Sequence, residues 1–175
     1  MRKTKKITIS ASIVAMSVVF MALGIFSGVL DMSACALSSL LIAFLFIEVG
    51  APYVYIGWLA TSLLLFLFFP GSVIWLEYLI VFGIYPVLKA YIERLPRWSW
   101  LILKLLFGCA VIFAVIILTE FITGTPFFDG VSLWLIKAGI ALFLVLLFIV
   151  YDVFLTVLIR FYFERLRNRF KNLLK

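Results

Sequence analysis

Residues 98–121 read WSWLILKLLFGCAVIFAVIILTEF, a stretch in which only Lys104 and Glu120 carry charge. About 20 apolar residues in an α-helix cross the roughly 30 Å of hydrocarbon in a bilayer. Backbone N–H and C=O groups in lipid need internal partners, which a helix supplies. The stretch therefore predicts a transmembrane helix, and the fold depends on how many similar stretches accompany it.

Five further apolar runs are present, at residues 7–27, 34–49, 53–69, 73–91 and 131–159. The second is the shortest, and we expect its helix either to begin a turn earlier or to lie where neighbouring helices shield its ends. The 175 residues are 67% hydrophobic and 13% charged, against about half and a quarter in soluble domains, and the mean hydropathy is +1.30. We predict an all-α fold, an integral membrane six-helix bundle over residues 1–159, with no soluble domain.

The basic residues predict the orientation of the bundle. When the six runs cross the membrane alternately, fourteen of the 15 Lys and Arg residues lie on the same side of it, and positive charge stays cytoplasmic during insertion. Both termini are therefore predicted to be cytoplasmic, and only Lys137 falls on the outer side. The first run resembles a signal peptide in its basic start, but it exceeds the 7–15 apolar residues of a signal core. We interpret it as a retained signal anchor.

Residues 160–175, RFYFERLRNRFKNLLK, place apolar side chains at helical spacing between basic ones. Such a segment predicts an amphipathic cytoplasmic tail that lies along anionic lipid headgroups, or alternatively docks on a partner. The net charge of +7 is explained by this topology, so we predict no nucleic-acid partner.

The chain contains no histidine, which excludes HExxH metalloproteases, Ser-His catalysis and histidine-ligated haem. A phosphate-binding P-loop is also absent from the sequence. Cys35 and Cys109 lack the spacing of metal ligands, and we predict both to be small core residues. These observations favour a protein that is not an enzyme and that uses no cofactor or metal.

Ionisable residues within the spans are functional candidates, because each costs about 3 kcal/mol unless it is paired or hydrated. They form two layers. The predicted inner layer comprises Glu48, Lys89, Lys104 and Asp152. We expect a Lys–Asp pair there that fixes the rotation of neighbouring helices, and a solvated Glu48 at its span end.

The predicted outer layer contains Asp31, Glu77, Glu120, Asp129 and Lys137, interleaved with aromatic residues. This pattern is typical of an interfacial aromatic belt or of a ligand pocket with a few placed polar groups. Lys137 would either neutralise an acid or meet an anionic group of a substrate. Four acids against one base favour a neutral or cationic solute with an aromatic ring. The candidate substrate-binding residues are Asp31, Trp75, Glu77, Tyr78, Glu120, Phe128, Trp134 and Lys137.

Small residues follow one face of the first span, including Ala11 and Ala15, and Gly24-x-x-x-Gly28 comes after them. Small residues four apart let helix backbones approach closely in lipid. This pattern indicates either packing within the chain or contact with a second protein.

With these alanines in ITISASIVAMSVVFMALG (7–24), and with FGIYPVLKAYIERL (82–95), the chain resembles the S components of energy-coupling factor (ECF) transporters, or a group of bacterial six-span proteins with that fold. The resemblance implies a subunit of the bacterial cell membrane that binds a vitamin-like solute near the outer surface. It implies that Ala11 and Ala15 contact a transmembrane coupling subunit, and that separate ATPase subunits supply the energy.

A different class of function also fits the sequence. Small basic six-span proteins serve as non-transport scaffolds in bacterial cell-envelope assembly. In that interpretation the outer layer is an aromatic belt with one ion pair, and the basic tail recruits partners. A scaffold has no saturable small ligand, which separates the two hypotheses.

Overall fold

The computed structural model describes residues 3–124 and 134–166, and every regular element in these two ranges is helical. The α-helices are α1 (Lys3–Ser27), α2 (Asp31–Glu48), α3 (Ala51–Phe68), α4 (Ile74–Glu77), α5 (Tyr85–Ile92), α6 (Arg97–Thr123) and α7 (Trp134–Phe161). A π-helical turn, Tyr78–Phe82, lies between α4 and α5, and another, Tyr162–Leu166, follows α7. Residues 167–175 of the predicted tail lie outside the described ranges.

Six helical segments in the described ranges are long and apolar enough to cross a membrane. They are Lys3–Ser27, Asp31–Glu48, Ala51–Phe68, Ile74–Ile92, Trp98–Ile122 and Ala138–Arg165. The prediction of an all-α chain with six potential spans is confirmed. The second span begins at Asp31, a turn ahead of its apolar run, as the short run predicted.

Large apolar side chains cover the outward faces of these helices. Leu63 and Leu67 on α3 are 68% and 69% exposed, and Phe113 on α6 is 67% exposed. A surface of this kind is favourable in lipid and unfavourable in water. The outward faces therefore fit a multi-pass membrane protein.

The described residues divide into two compact units, one made of residues 3–88 and 154–166 and the other of residues 89–124 and 134–153. In the first unit, α1, α2, α3 and the α4 segment enclose an apolar core that includes Met21, Ile42 and Leu65. Small residues bring α1 and α2 together, because a Cβ placed on Gly24 would lie 2.7 Å from the Cβ of Ala34. The Ser38 hydroxyl also donates a hydrogen bond to the carbonyl oxygen of Ser17, at 3.2 Å.

The π-helical turn at Tyr78–Phe82 interrupts the fourth span. The Gly83 N–H donates to the carbonyl oxygen of Tyr78, at 2.7 Å. The indole N–H of Trp58, from α3, donates to the carbonyl oxygen of Leu79, at 3.1 Å. A Cβ at Gly83 would overlap the Trp58 ring, so glycine allows the ring to lie against this turn.

In the second unit, α6 packs against α7 through Gly108, whose position leaves only 2.7 Å between an added Cβ and the Phe148 ring. Cys109 follows about 100° further round the helix and is exposed. The prediction that both cysteines are core residues is therefore wrong for Cys109. Cys35, in the first unit, is buried as predicted.

Candidate functional site

Four side chains of the first unit form a group that we call the carboxyl cluster: Asp31, Cys35, Glu77 and Tyr78. Asp31 is the first residue of α2, and Cys35 follows one turn later. Glu77 ends α4, and Tyr78 begins the π-helical turn. The carboxyl groups of Asp31 and Glu77 interact electrostatically with one another and with the Cys35 thiol. The start of α2 and the break in the fourth span thus bring two acidic groups together.

The polar atoms of this cluster are buried without full hydrogen bonding. Tyr78 is 0% exposed, and neither its hydroxyl nor the Oδ1 atom of Asp31 has a hydrogen-bond partner in the described ranges. The Tyr78 hydroxyl lies beside the Thr61 side chain, and Thr61 donates its own proton to the Gly57 carbonyl oxygen, at 2.8 Å. Buried polar groups are normally hydrogen-bonded within the protein, so these two atoms are available for hydrogen bonds with another molecule.

The described basic side chains of the first unit lie at the other end of α2. The Lys6 ammonium group is 3.4 Å from the carbonyl oxygen of Val49. The Tyr162 hydroxyl, between Arg160 and Arg165 in sequence, donates to Glu48, at 2.8 Å. Since α2 has 18 residues, these groups are about 27 Å from Asp31 along the helix axis. Within the first unit, none of its described basic groups neutralises the cluster.

The geometry of the cluster does not suit a metal ion. No three His, Cys, Asp or Glu side chains among the described residues are arranged to hold one. Hard cations such as Ca²⁺ require six or more oxygen ligands in close array. What the cluster offers instead is two interacting carboxyl groups as hydrogen-bond acceptors.

The structure brings Asp31, Glu77 and Tyr78 together from the predicted substrate-binding set. Trp75 is half-buried and packs edge-on against Phe66 on α3, with ring centroids 5.0 Å apart. Glu120 belongs to the second unit, near the end of α6. Trp134 and Lys137 lie in the first turns of α7, but their side chains, like all of Phe128 and Asp129, are outside the described structure.

The small residues of α1 lie in two different environments, one buried and one exposed. Gly24 is buried against Ala34, so it packs within the chain. Gly28 has φ +66° and ends the helix. Ala11 and Ala15 are exposed on the surface of α1, where they do not contribute to the core.

Four charged residues of the second unit form a separate group, the charge network, made of Lys89, Glu93, Lys104 and Asp152. Lys89 is 1% exposed and its ammonium group pairs with Asp152 Oδ1. Lys104 lies 2.9 Å from Asp152 Oδ2 and 2.9 Å from Glu93 Oε1. Lys89 is also 3.5 Å from Glu93. The predicted Lys–Asp pair between helices is confirmed, and its charges sum to zero.

Sequence reasoning missed two members of these groups, Glu93 and Cys35, and one neighbour, Thr61. Glu93 lies four residues after Lys89, a helical spacing that could have revealed its part in the charge network. The sequence predicts Cys35 only as a core residue, and Thr61 is a polar residue in an apolar run without a motif. Glu48 was expected to be solvated, whereas it accepts the hydrogen bond from Tyr162.

Comparisons with known proteins give no assignment: no family model, curated protein or solved structure matches this chain. The resemblance to S components therefore remains a prediction. Any functional proposal depends on the geometry of the chain itself.

Proposed function

We propose that this chain is a membrane-embedded solute-binding protein for uptake of a small molecule. The observation that carries the proposal is the carboxyl cluster, in which two half-buried acidic groups interact in the first unit, away from its described basic residues and close in sequence to the buried Tyr78. Ionisable groups inside spans are rare, and those present usually serve binding or transport.

The π-helical turn in the fourth span supports the same function. The π-helical turn begins at Tyr78, itself a member of the cluster. Such turns also occur frequently at functional sites in general.

The positive-inside orientation would put the cluster at the outer surface, since it lies at the opposite end of α2 from the basic residues. A solute arriving from outside would then reach it directly. We further propose that a transmembrane coupling subunit contacts α1 at the exposed Ala11 and Ala15 and that separate ATPase subunits supply the energy. The location would be a bacterial cell membrane.

Thermal unfolding of the purified chain in mild detergent tests this function against a panel of vitamins, nucleobases, amino acids and polyamines. A ligand at about 100 times its dissociation constant stabilises the folded state by about 2.7 kcal/mol. We expect a saturable shift for at least one compound, and we expect Glu77→Gln to abolish it.

Glu48→Gln is the matched control, because it also removes a carboxylate from the first unit, but at the end of α2 opposite to Asp31. It should retain the ligand-induced shift. A folded protein that responds to no member of a broad panel would contradict the proposed function and favour a scaffold in cell-envelope assembly.

A further inference from the structure

The end of α2 that lies opposite the carboxyl cluster meets both the beginning of α1 and the end of α7. The Lys6 ammonium group on α1 donates to the carbonyl oxygen of Val49, at 3.4 Å. The Tyr162 hydroxyl, just after α7, donates to the carboxylate of Glu48, at 2.8 Å. Glu48 and Val49 are consecutive residues, so the two basic segments of the first unit converge at this point.

Aromatic rings hold both segments in place. The Tyr162 ring packs edge-on against Phe44 on α2, with ring centroids 5.0 Å apart, and the Tyr162 side chain is buried. On the other side, the Lys6 ammonium group lies 5.6 Å from the centroid of the Tyr53 ring on α3. Lys6 and Tyr162 therefore fix the positions of the basic residues that flank them in the chain.

These flanking basic residues extend into the surroundings. Lys3 lies one turn before Lys6 and is exposed. Arg160 and Arg165 lie on either side of Tyr162 in the chain, and both are exposed. Among the described residues, neither this lysine nor the two arginines form an ion pair with a carboxylate. Their cationic groups are therefore available to an anion from outside the chain.

The net charge at this end of the first unit is positive. Its described acidic residues are Glu48, which accepts from Tyr162, and the exposed Glu164. The described basic residues outnumber them: Lys3, Lys5, Lys6, Arg160 and Arg165. An anion is the complementary ligand, and guanidinium groups are particularly suited to phosphate oxygens.

Apolar surface adjoins the basic residues. Ile7, one turn after Lys3, and Val157, one turn before Phe161, are both exposed. The Arg165 guanidinium group lies 5.8 Å from the centroid of the Phe161 ring, which is itself exposed. Cationic groups at the helix ends and hydrocarbon along the helices match a phospholipid, in which a phosphate is joined to acyl chains.

We propose that this end of the first unit binds one anionic phospholipid, whose phosphate is held by Lys3, Arg160 and Arg165 and whose acyl chains lie on the adjoining apolar surface. In the predicted orientation the lipid belongs to the cytoplasmic leaflet, because the basic residues are expected on that side. The site is distinct from the predicted amphipathic tail, because all three side chains precede residue 167.

Three probes test the ligand class on the full chain in neutral detergent. Phosphatidylglycerol is anionic, phosphatidylcholine with the same acyl chains has no net charge, and glycerol 3-phosphate has the phosphate without the chains. Native mass spectrometry counts the bound molecules, and thermal unfolding measures their effect. We expect one retained phosphatidylglycerol with a saturable rise in the unfolding midpoint, much weaker binding of phosphatidylcholine, and no binding of glycerol 3-phosphate.

Substitutions test the assigned arginines. Arg160→Gln/Arg165→Gln should weaken phosphatidylglycerol binding by about 10- to 30-fold, since each basic side chain near an anionic lipid contributes about 5-fold. Arg160→Lys/Arg165→Lys keeps both charges and should retain most of the affinity. The matched control, Arg94→Gln/Arg97→Gln, removes two arginines of the second unit on the same predicted side of the membrane. It should leave the affinity unchanged.

Several results would overturn the proposal. Equal binding of phosphatidylcholine would show that the apolar surface alone retains lipid, and equal binding of glycerol 3-phosphate would assign the site to a free phosphate ester. An equal loss of affinity in Arg94→Gln/Arg97→Gln, or binding of phosphatidylglycerol without a preferred number, would show that charge acts diffusely. The proposed solute-binding function is tested separately, because its panel contains no lipid.

Discussion

Individual charged residues in this chain have two distinct environments. Lys89, Lys104, Glu93 and Asp152 neutralise one another within the second unit. Asp31 and Glu77 lie together without such neutralisation from the described basic groups of the first unit. The same residue types therefore form a neutral network in one place and an acidic pair in another.

The charge network makes a prediction at Asp152, which accepts from both lysines. Asp152→Ala removes the carboxylate that pairs with the buried Lys89, which keeps the carbonyl oxygen of residue 152, at 2.7 Å, and Glu93, at 3.5 Å, as acceptors. Breaking a buried pair in this way costs about 3–5 kcal/mol. We expect a large fall in the unfolding midpoint in detergent. The double variant Lys89→Met/Asp152→Leu should recover much of this loss, because both charges are removed together.

Glu93→Gln is the matched control for that prediction. Its side chain is 34% exposed, and Asp152 still pairs with both lysines after the change. The expected loss is about 1 kcal/mol or less. A loss as large as that of Asp152→Ala would show that the four residues stabilise the unit equally.

At the level of elements, hydropathy was sufficient to locate the helices but not the break in the fourth span. Each apolar run corresponds to a helical segment, because lipid permits little else for so long a run. The start of α2 at Asp31 also followed from the shortness of its run. The π-helical turn could not be predicted, because it depends on Trp58 from another helix lying against Gly83.

The sequence was less informative about which polar residues meet. Asp31, Glu77 and Tyr78 were all candidates, but their proximity to Cys35 depends on how α2 packs against the fourth span. Hydropathy periodicity gives no distance between helices. Cys109 illustrates the same limit, since one residue separates it from the buried position of Gly108.

Gly83→Ala tests the importance of the broken span. The added methyl group would overlap the Trp58 ring, and crowding of this kind costs about 1–3 kcal/mol. We expect lower stability and, because Tyr78 begins the turn, weaker ligand binding. The control is Gly139→Ala on α7, where an added Cβ meets nothing within 4 Å. That change should be neutral or stabilising by up to about 1 kcal/mol.

For the whole molecule, the six potential spans and the distribution of Lys and Arg predict on which side of the membrane the carboxyl cluster lies. Alkaline phosphatase, which is active only outside the cytoplasm, reports this when fused after selected residues. We expect activity after Gly28 and Gly71 and none after Gly50 or at the C-terminus, since the arrangement that keeps fourteen of the 15 Lys and Arg residues on one side places Gly50 and the C-terminus in the cytoplasm. An active C-terminal fusion would reverse the orientation and place the cluster on the cytoplasmic side.

The order of the charge network along the chain has a consequence for biosynthesis. A nascent chain that has reached α6 carries Lys89 and Lys104 with Glu93 as their shared acid, and Asp152 follows Lys104 by 48 residues. At ribosomal rates of about 5–20 residues per second, this gap lasts roughly 2–10 s. During that time the fifth span, α6, is poorly suited to release into lipid by itself. The fourth, fifth and sixth spans are therefore expected to leave the translocon as a group, after the sixth span has been synthesised.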